Sequence, residues 1–189
     1  LQGRYNLLAL REVLPALRRV QVFDTRGDAL AKFAADMGSK TSLEIVPAGS
    51  AEEVFDGADI AVTATGWLDE PIFKADWIAP GTLALPIHAR GWEPKALREV
   101  DKFIVDDWQQ FSHSLAGFYG PMPEPYAQLG QVVVGDRPGR ESPTERIIDF
   151  NYGMAIHDVA MATEILGRAR QQGLGTTLPH TDGVMPYSQ

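Results

Sequence analysis

The chain has 189 residues, a length that is enough for one domain with a hydrophobic core. Of these residues, 44% are hydrophobic and 22% are charged. Its formal net charge of −8 argues against nucleic acid or an anionic membrane as a partner, because both require a basic surface. It has no cysteine, which excludes disulfides, thiolate zinc sites and cysteine nucleophiles. No apolar run approaches the roughly 18–20 residues of a membrane span, and we expect a cytoplasmic protein.

The first stretch of the chain predicts a helix followed by a buried strand. Apolar residues at helical spacing predict the helix over 4–19, with its last turn loosened where Pro15 removes a backbone donor. The next apolar run is typical of a parallel strand and leads into Asp24. A second helix is expected to follow, with Asp28 as its N-terminal cap and Gly38 at its end.

The chain then alternates between short helices and short apolar strands. Such alternation with short connections predicts an α/β fold, a Rossmann-like parallel sheet with helices on both faces. The strands are expected at 43–46, 60–65, 82–87 and 102–105. Between them we expect helices at 50–57 and 93–100 and a short helix or turn at 71–78.

This alternation stops at Trp108. Glycines and prolines are dense between 117 and 123, so we expect a long, mobile surface loop with a little helix over 108–130. Beyond it, the pattern predicts short strands at 131–134 and 147–150, a long C-terminal helix over 154–172 with one apolar side, and an irregular tail from Thr176.

Asp24 is the sharpest candidate for a binding residue, because it lies 21 positions after Gly3. In a dinucleotide-binding βαβ unit, an acid about 20 residues beyond the glycine turn accepts hydrogen bonds from the adenosine ribose. A carboxylate there favours NAD, since it repels the 2′-phosphate of NADP, although Arg26 could accommodate that phosphate. The alternative is a solvated acid at a strand end. The strand and leading glycines of this motif do not occur after Leu1, so we expect a sheet truncated before its first strand.

Two other groups of polar residues follow predicted strands, at the carboxyl ends where open α/β sheets bind ligands. Thr63, Thr65 and Gly66 could let a cofactor lie against the backbone, or could simply form a threonine-rich strand end. His88 could transfer protons near neutral pH and Arg90 could hold a substrate carboxylate, or both could be ordinary loop residues.

The start of the last helix is a third candidate region. Its N-terminus offers free backbone N–H groups, and Gly153, after Asn151, lets the chain approach a ligand closely. His157, on the following turn, is more typical of a packing or surface histidine than of a catalytic one. The four histidines are far apart, so no metal site is predicted, and the chain has neither a P-loop nor a serine nucleophile elbow.

In this order and spacing, these segments resemble the ornithine cyclodeaminase and mu-crystallin family over nearly the whole chain. The resemblance is carried by Gln2-Gly3-Arg4, Val22-Phe23-Asp24, Ala58-Asp59-Ile60, Thr63-Ala64-Thr65, Trp77 to Thr82, Ile104-Val105-Asp106, Asn151 to Ala155, and Asp158. It implies a Rossmann domain that binds NAD or NADP, a substrate domain built mostly from an N-terminal third, and a homodimer. The residues expected to bind the cofactor are Gly3, Arg4, Asp24, Thr25, Arg26, Thr63, Thr65, Gly66, Asn151 and Gly153.

On this resemblance, residues 1–130 form a partial dinucleotide-binding Rossmann domain. Residues 131–189 form a C-terminal strand-helix segment that returns toward the substrate domain. Cyclodeaminases of the family place a catalytic aspartate shortly after the strand that here ends at Ile87, and this chain has Arg90 at that place. The segment 87–94 is more similar to the branch that includes the diaminopropionate-biosynthesis dehydrogenases, which oxidise an amino-acid adduct.

The resemblance therefore implies an NAD-dependent oxidoreductase acting on an amino acid or its imine, with NADP as a possible substitute. Arg90 and His88 are its expected catalytic residues. One alternative is a true ornithine cyclodeaminase, an ammonia lyase in which NAD is recycled. The other is a non-enzymatic, crystallin-like protein that binds dinucleotide.

Overall fold

The computed structural model of this chain describes residues 1–88 and 90–178. Most of the tail that was expected to be irregular lies outside those residues. The helices are α1 (Gln2–Val13), α2 (Gly27–Lys40), α3 (Ala96–Glu99), α4 (Trp108–Tyr119), α5 (Leu129–Val133) and α6 (Ala155–Gln171). The strands are β1 (Arg19–Val22), β2 (Glu44–Pro47), β3 (Ile60–Thr63), β4 (Leu83–Pro86), β5 (Lys102–Val105), β6 (Ala127–Gln128) and β7 (Ile147–Phe150), and single 3₁₀ turns lie at Glu53–Phe55 and Ala75–Trp77.

The strands described form two sheets in which every pairing is parallel. The smaller sheet pairs β1 with β2, and the larger has the order β3-β4-β7-β5-β6. Helices connect most consecutive strands, and a long helix follows the last one. This arrangement confirms the predicted Rossmann-like α/β fold with its C-terminal helix.

The hydrophobic core lies against the larger sheet. Phe103 and Val105 of β5 alternate with residues of the opposite face, as strand geometry requires, and both belong to the core. Helix α4 packs onto these strands, and the rings of Phe111 and Phe150 meet edge to face with centroids 5.0 Å apart. Burying one such side chain contributes roughly 1.5–3 kcal/mol.

Contacts divide the chain into two compact units. The first, Leu1–Tyr152, contains both sheets and helices α1 to α5. The second begins at Gly153 and contains α6, whose apolar side chains are exposed, among them Ile165 and Leu166. The predicted domain division at residue 130 stays a prediction.

The first helix is shorter at its C-terminal end than predicted. It ends at Val13 rather than at residue 19, because the residue before Pro15 avoids the helical conformation. Leu14 accordingly has φ −122° and ψ 79°. The proline ends this helix instead of loosening its last turn.

The second helix differs from the prediction at both ends. Arg26 occupies the N-terminal cap position, so the prediction of Asp28 as the cap is wrong, and Asp28 lies within the first turn. The helix also continues through Gly38 to Lys40. Met37 is fully buried, and this packing outweighs the modest cost of a glycine in a helix interior.

The predicted loop over 108–130 is wrong, because α4 occupies its first half. The Asp107 side chain caps this helix by accepting a hydrogen bond from the Gln110 amide at 2.6 Å. Phe111, Leu115 and Tyr119 recur every four residues and are buried, a signal that the glycines and prolines farther along obscured.

The predicted strand at 131–134 is also wrong. A capping box between Gln128 and Gln131 opens the short helix α5 there. The pairing strand β6 lies immediately before it, where Ala127 is opposite Ile104 of β5.

Candidate functional site

Asp24 lies just beyond the carboxyl end of β1, as its predicted ribose-binding role requires. Its Oδ1 accepts a hydrogen bond from the Arg26 amide at 2.9 Å and lies 3.7 Å from the Arg26 Nε. The Asp24 side chain is 42% exposed, and Thr25 is exposed beside it. The carboxylate is therefore oriented by its own loop while remaining accessible to a ligand.

Gly3 and Arg4 lie in the first turn of α1, beside α2. A Cβ on Gly3 would lie 3.5 Å from the Phe33 ring, an ordinary contact. Arg4 donates to Asp36 Oδ2 at 3.0 Å and lies over the Phe33 ring. Arg4 thus holds the two helices together. Its amide donates to the Leu1 carbonyl at 3.1 Å, which leaves the Gln2 and Gly3 amides as the first-turn donors without an acceptor inside the helix.

Thr63 joins the carboxyl ends of β3 and β4. It is the last residue of β3 and is only 4% exposed. Its Oγ1 lies 2.8 Å from His88 Nε2 and accepts a hydrogen bond from Trp92 Nε1 at 3.1 Å. The Thr63 hydroxyl is therefore the centre of a three-residue cluster, which we call the Thr63 cluster (Thr63, His88 and Trp92).

His88 is packed rather than free in a loop. Its ring lies 5.5 Å from the Phe73 ring, and a Cβ on Gly91 would lie 2.9 Å from its Cε1. Nδ1 is buried and has no hydrogen-bond partner of good geometry among the described residues. Burial lowers the pKa of His88, and the Arg90 backbone only partly opposes this, so the surroundings favour the neutral imidazole.

Arg90 is half-buried between two aromatic rings. Its guanidinium carbon lies 4.0 Å from the centre of the Trp67 ring and 5.3 Å from that of Phe118. Burial raises the pKa of Tyr119, the next residue on α4, while a hydrogen bond with the Trp92 backbone and the positive charge of Arg90 act in the opposite direction. The sequence placed His88 and Arg90 correctly after β4, but it did not identify the aromatic partners of either.

The other predicted cofactor residues occupy three separate places. Thr65 and Gly66 are exposed, and the Thr65 hydroxyl bonds to the Gly66 carbonyl at 3.2 Å. Asn151 follows β7 and donates to the Asp149 carbonyl at 3.4 Å. Gly153 opens the second unit with φ +102°, a conformation that favours glycine.

Asp149 is a half-buried acid in the middle of the sheet that the sequence did not mark. It lies in β7 opposite Ile104, and its Oδ1 is buried without a partner among the described residues. Burial raises the pKa of Asp149, a hydrogen bond from Asn151 opposes this, and the charge of Asp106 adds to it. No local pattern distinguishes such an acid from a solvated one.

The described residues show neither a metal-binding cluster nor a membrane-spanning helix. They contain no group of three or more His, Asp or Glu side chains arranged to hold a metal ion. Within the same ranges, every helix is too short or too polar to cross a bilayer.

Known proteins resemble this chain over almost its full length. The sequence model of the ornithine cyclodeaminase/mu-crystallin family matches residues 1–173. The nodulation efficiency protein NfeD of Rhizobium meliloti is 35% identical over 95% of this chain and 56% of its own length. N-((2S)-2-amino-2-carboxyethyl)-L-glutamate dehydrogenase of Staphylococcus aureus is 30% identical over 93% of this chain and 54% of its own length. The chain therefore spans about half the length of these curated relatives.

Two solved structures share the fold. The Δ1-pyrroline-2-carboxylate reductase of Thermococcus litoralis, in complex with NADH and L-proline, superposes with a TM-score of 0.82 at 27% identity, over 94% of this chain and 58% of that one. An archaeal alanine dehydrogenase dimer with bound NAD superposes with a TM-score of 0.80 at 27% identity, over 95% of this chain and 58% of that one.

Proposed function

This chain belongs to the ornithine cyclodeaminase/mu-crystallin family, and on that premise we propose that the full-length protein is an NAD-dependent oxidoreductase acting on an amino acid or its imine. The observation that carries the proposal is the likeness to two enzymes in complex with NADH or NAD, over 94% and 95% of the chain. The dehydrogenase from Staphylococcus aureus, which also acts on an amino-acid adduct, supports the same chemistry.

The residues at the carboxyl end of β1 suit a dinucleotide. Asp24 offers an accessible carboxylate oxygen to ribose hydroxyls, and the Gln2 and Gly3 amides at the start of α1 suit a pyrophosphate. Thr25 and Arg26 lie beside Asp24 in the same loop. Because Arg26 is paired with Asp24, its charge is less available to a 2′-phosphate, and the loop therefore favours NAD over NADP. When bound, the cofactor would accept a hydride from the substrate carbon as NAD or donate one to it as NADH.

Residues of the larger sheet would line the rest of the cofactor and the substrate. Thr65 and Gly66 expose backbone after β3, and the Thr63 cluster holds their loop against β4. Asn151 and Gly153 are proposed to lie near the nicotinamide. Arg4, tied to Asp36, would act by holding α1 in place.

His88 would move the proton that accompanies hydride transfer. Its lowered pKa keeps the imidazole neutral, and therefore able to accept a proton, to a more acidic pH than an exposed histidine allows. The Thr63 hydroxyl fixes the ring orientation through Nε2. Arg90, two residues farther along, would face the substrate.

The proposal also includes the parts of the full-length protein outside this chain. In a doubly wound sheet of order 3-2-1-4-5-6, β1 and β3 would correspond to strands 2 and 4, with one strand between them. We propose that a preceding segment supplies this strand and most of the substrate domain, and that residues 131–189 return toward that domain.

The proposal also includes a homodimer, as in the archaeal alanine dehydrogenase, and a cytoplasmic location.

The test is turnover by the full-length protein with NAD and a panel of amino acids, including L-alanine, L-proline and L-ornithine. The proposal expects stoichiometric NADH from at least one of them, or NADH oxidation with the matching imine. Proline and ammonia from L-ornithine, with catalytic NAD and no net NADH, would instead identify a cyclodeaminase. Tight dinucleotide binding without turnover of any amino acid or cyclic imine would identify a crystallin-like binding protein.

A further inference from the structure

We propose that Trp67, Arg90 and Phe118 form a carboxylate-binding subsite for the substrate, with Trp67 as the residue that positions the guanidinium. We call these three residues the Arg90 stack. The inference rests on the proposed function, because it assigns the carboxylate of the amino acid or imine to a particular cation.

The three residues come from different elements and meet at the carboxyl edge of the larger sheet. Trp67 lies in the loop after β3, Arg90 in the loop after β4, and Phe118 on α4. The two rings contact the guanidinium at 4.0 Å and 5.3 Å from their centres. Rings that contact a guanidinium in this way restrict its rotation and leave its N–H groups for a planar acceptor.

Among the described residues the charge of Arg90 is unneutralised, unlike that of two other cations that lie partly or largely out of solvent. Lys102 is paired with Glu141 and Glu145, and Arg4 is paired with Asp36. Within residues 1–88 and 90–178, no carboxylate forms an ion pair with Arg90, and its buried Nε has no hydrogen-bond partner. A partly desolvated cation without a counter-ion is expensive unless a ligand supplies the anion.

An oxyanion is the ligand that fits, and both the substrate carboxylate and a cofactor phosphate have that chemistry. The position of Arg90 favours the substrate. It lies two residues from His88, the proposed proton-transferring group, whereas Asp24 and the start of α1 belong to the part of the molecule around the smaller sheet. A bidentate guanidinium–carboxylate pair here would place the substrate carbon beside that imidazole.

Trp67 is 66% exposed, although it is a large apolar side chain. Its contact with Arg90 accounts for this placement, since the indole covers one face of the guanidinium. We expect Trp67 to act through Arg90 by excluding water from that face and fixing its plane. Phenylalanine at this position would keep the ring, whereas alanine would not.

The experiment measures equilibrium binding to the full-length protein by calorimetry, with NAD present. The probe is pyrrole-2-carboxylate, a planar carboxylate that cannot take part in hydride transfer, compared with the uncharged pyrrole-2-carboxamide. The wild type should bind the carboxylate more tightly than the carboxamide, and R90Q should weaken the carboxylate about tenfold or more. NAD affinity should stay within about twofold.

Variants of Trp67 test its positioning role. W67A should raise the KM of the carboxylate substrate about fivefold with a smaller change in kcat, and W67F should restore most of the loss. R137Q is the matched control, because Arg137 also lies over a ring, that of Tyr126, but away from this edge. It should leave both constants unchanged.

Equal binding of carboxylate and carboxamide, or a loss of NAD rather than carboxylate affinity in R90Q, would overturn the inference. The second result would assign Arg90 to a phosphate. Absence of turnover with the binding pattern intact would refute only the proposed activity. Turnover with an unchanged KM in R90Q would refute only the subsite.

Discussion

The two edges of the larger sheet differ in how their partly or fully buried cations are paired. At the amino edge, Lys102 opens β5 with a side chain only 5% exposed, and Glu141 Oε2 and Glu145 Oε1 lie 2.7 Å and 3.2 Å from its Nζ. It also donates to the Gly139 carbonyl. At the carboxyl edge, Arg90 is held by aromatic rings and has no carboxylate partner in the described residues.

This difference separates a structural cation from one available to a ligand. Burial disfavours the charged form of Lys102, but the hydrogen bonds that its ammonium donates to Glu141 and Glu145 more than compensate and raise the pKa of Lys102. The amino edge therefore fastens the loop before β7 to the sheet. The carboxyl edge, where parallel strands present their ligand-binding loops, leaves its polar groups incompletely satisfied. The two edges should consequently respond to mutation in different ways.

The largest effect is expected for K102M. It removes the cation from Glu145, whose side chain is 16% exposed, and from the exposed Glu141, and we expect the largest loss in the free energy of unfolding among these variants. Urea denaturation of the full-length protein measures this. K95M is the control, since Lys95 and its partners are exposed, and it should not change the midpoint measurably. Equal midpoints for the two variants would contradict a structural role for the amino edge.

T63V should cost somewhat less, about 2 kcal/mol in the free energy of unfolding. It removes the acceptor of the buried Trp92 N–H and the partner of His88 Nε2. T65V is the matched control, because Thr65 is exposed and bonds only to the neighbouring carbonyl. If both variants unfold at the same urea concentration, the Thr63 cluster does not hold the carboxyl edge together.

D24N should affect binding rather than stability. We expect NAD affinity to fall about tenfold and NADP affinity to fall less, because the carboxylate both accepts from the ribose hydroxyls and repels the 2′-phosphate. Fluorescence titration of both cofactors measures the difference, with D28N, an exposed acid on the first turn of α2, as control. Equal losses for NAD and NADP would remove Asp24 from the ribose site.

D149N should have the smallest effect, and the effect should depend on pH. The folded state raises the pKa of Asp149, so the folded protein is favoured while this group is protonated. That contribution is complete below the ordinary pKa near 3.8 and is lost as pH rises through the raised value. The stability of D149N should thus increase relative to that of the wild type as the pH rises above 3.8. The stability of D136N, changed at an exposed position, should stay parallel to that of the wild type over the same pH range. A pH-independent difference would show that Asp149 is not perturbed.

Much of the fold follows from local patterns. The runs that became β1, β3, β4, β5 and β7 were recognisable because buried parallel strands need nearly continuous apolar residues. The long helix α6 was predicted within one residue at each end. The position of Asp24 after β1 also follows from spacing alone.

Other parts depend on contacts between distant residues. Strand β7 lies between β4 and β5, an order that no nearest-neighbour pattern implies. Helix α4 was missed because turn residues at its end outweighed the four-residue repeat of Phe111, Leu115 and Tyr119. The aromatic partners of Arg90 come from elements 23 and 28 positions away. Sequence periodicity reports which face of an element is apolar, but not which element covers it.

Thr63 and Thr65 show where the sequence stops being informative. Both were expected to line a cofactor, since both are threonines at the carboxyl end of one strand. The structure buries Thr63 under His88 and Trp92 and leaves Thr65 exposed two residues later. The sequence by itself determined the strands and the acid that ends β1, because those depend on hydrophobic runs and spacing. Only the tertiary structure decided which polar groups at the sheet edge are buried from solvent, because burial depends on the side chains packed against them.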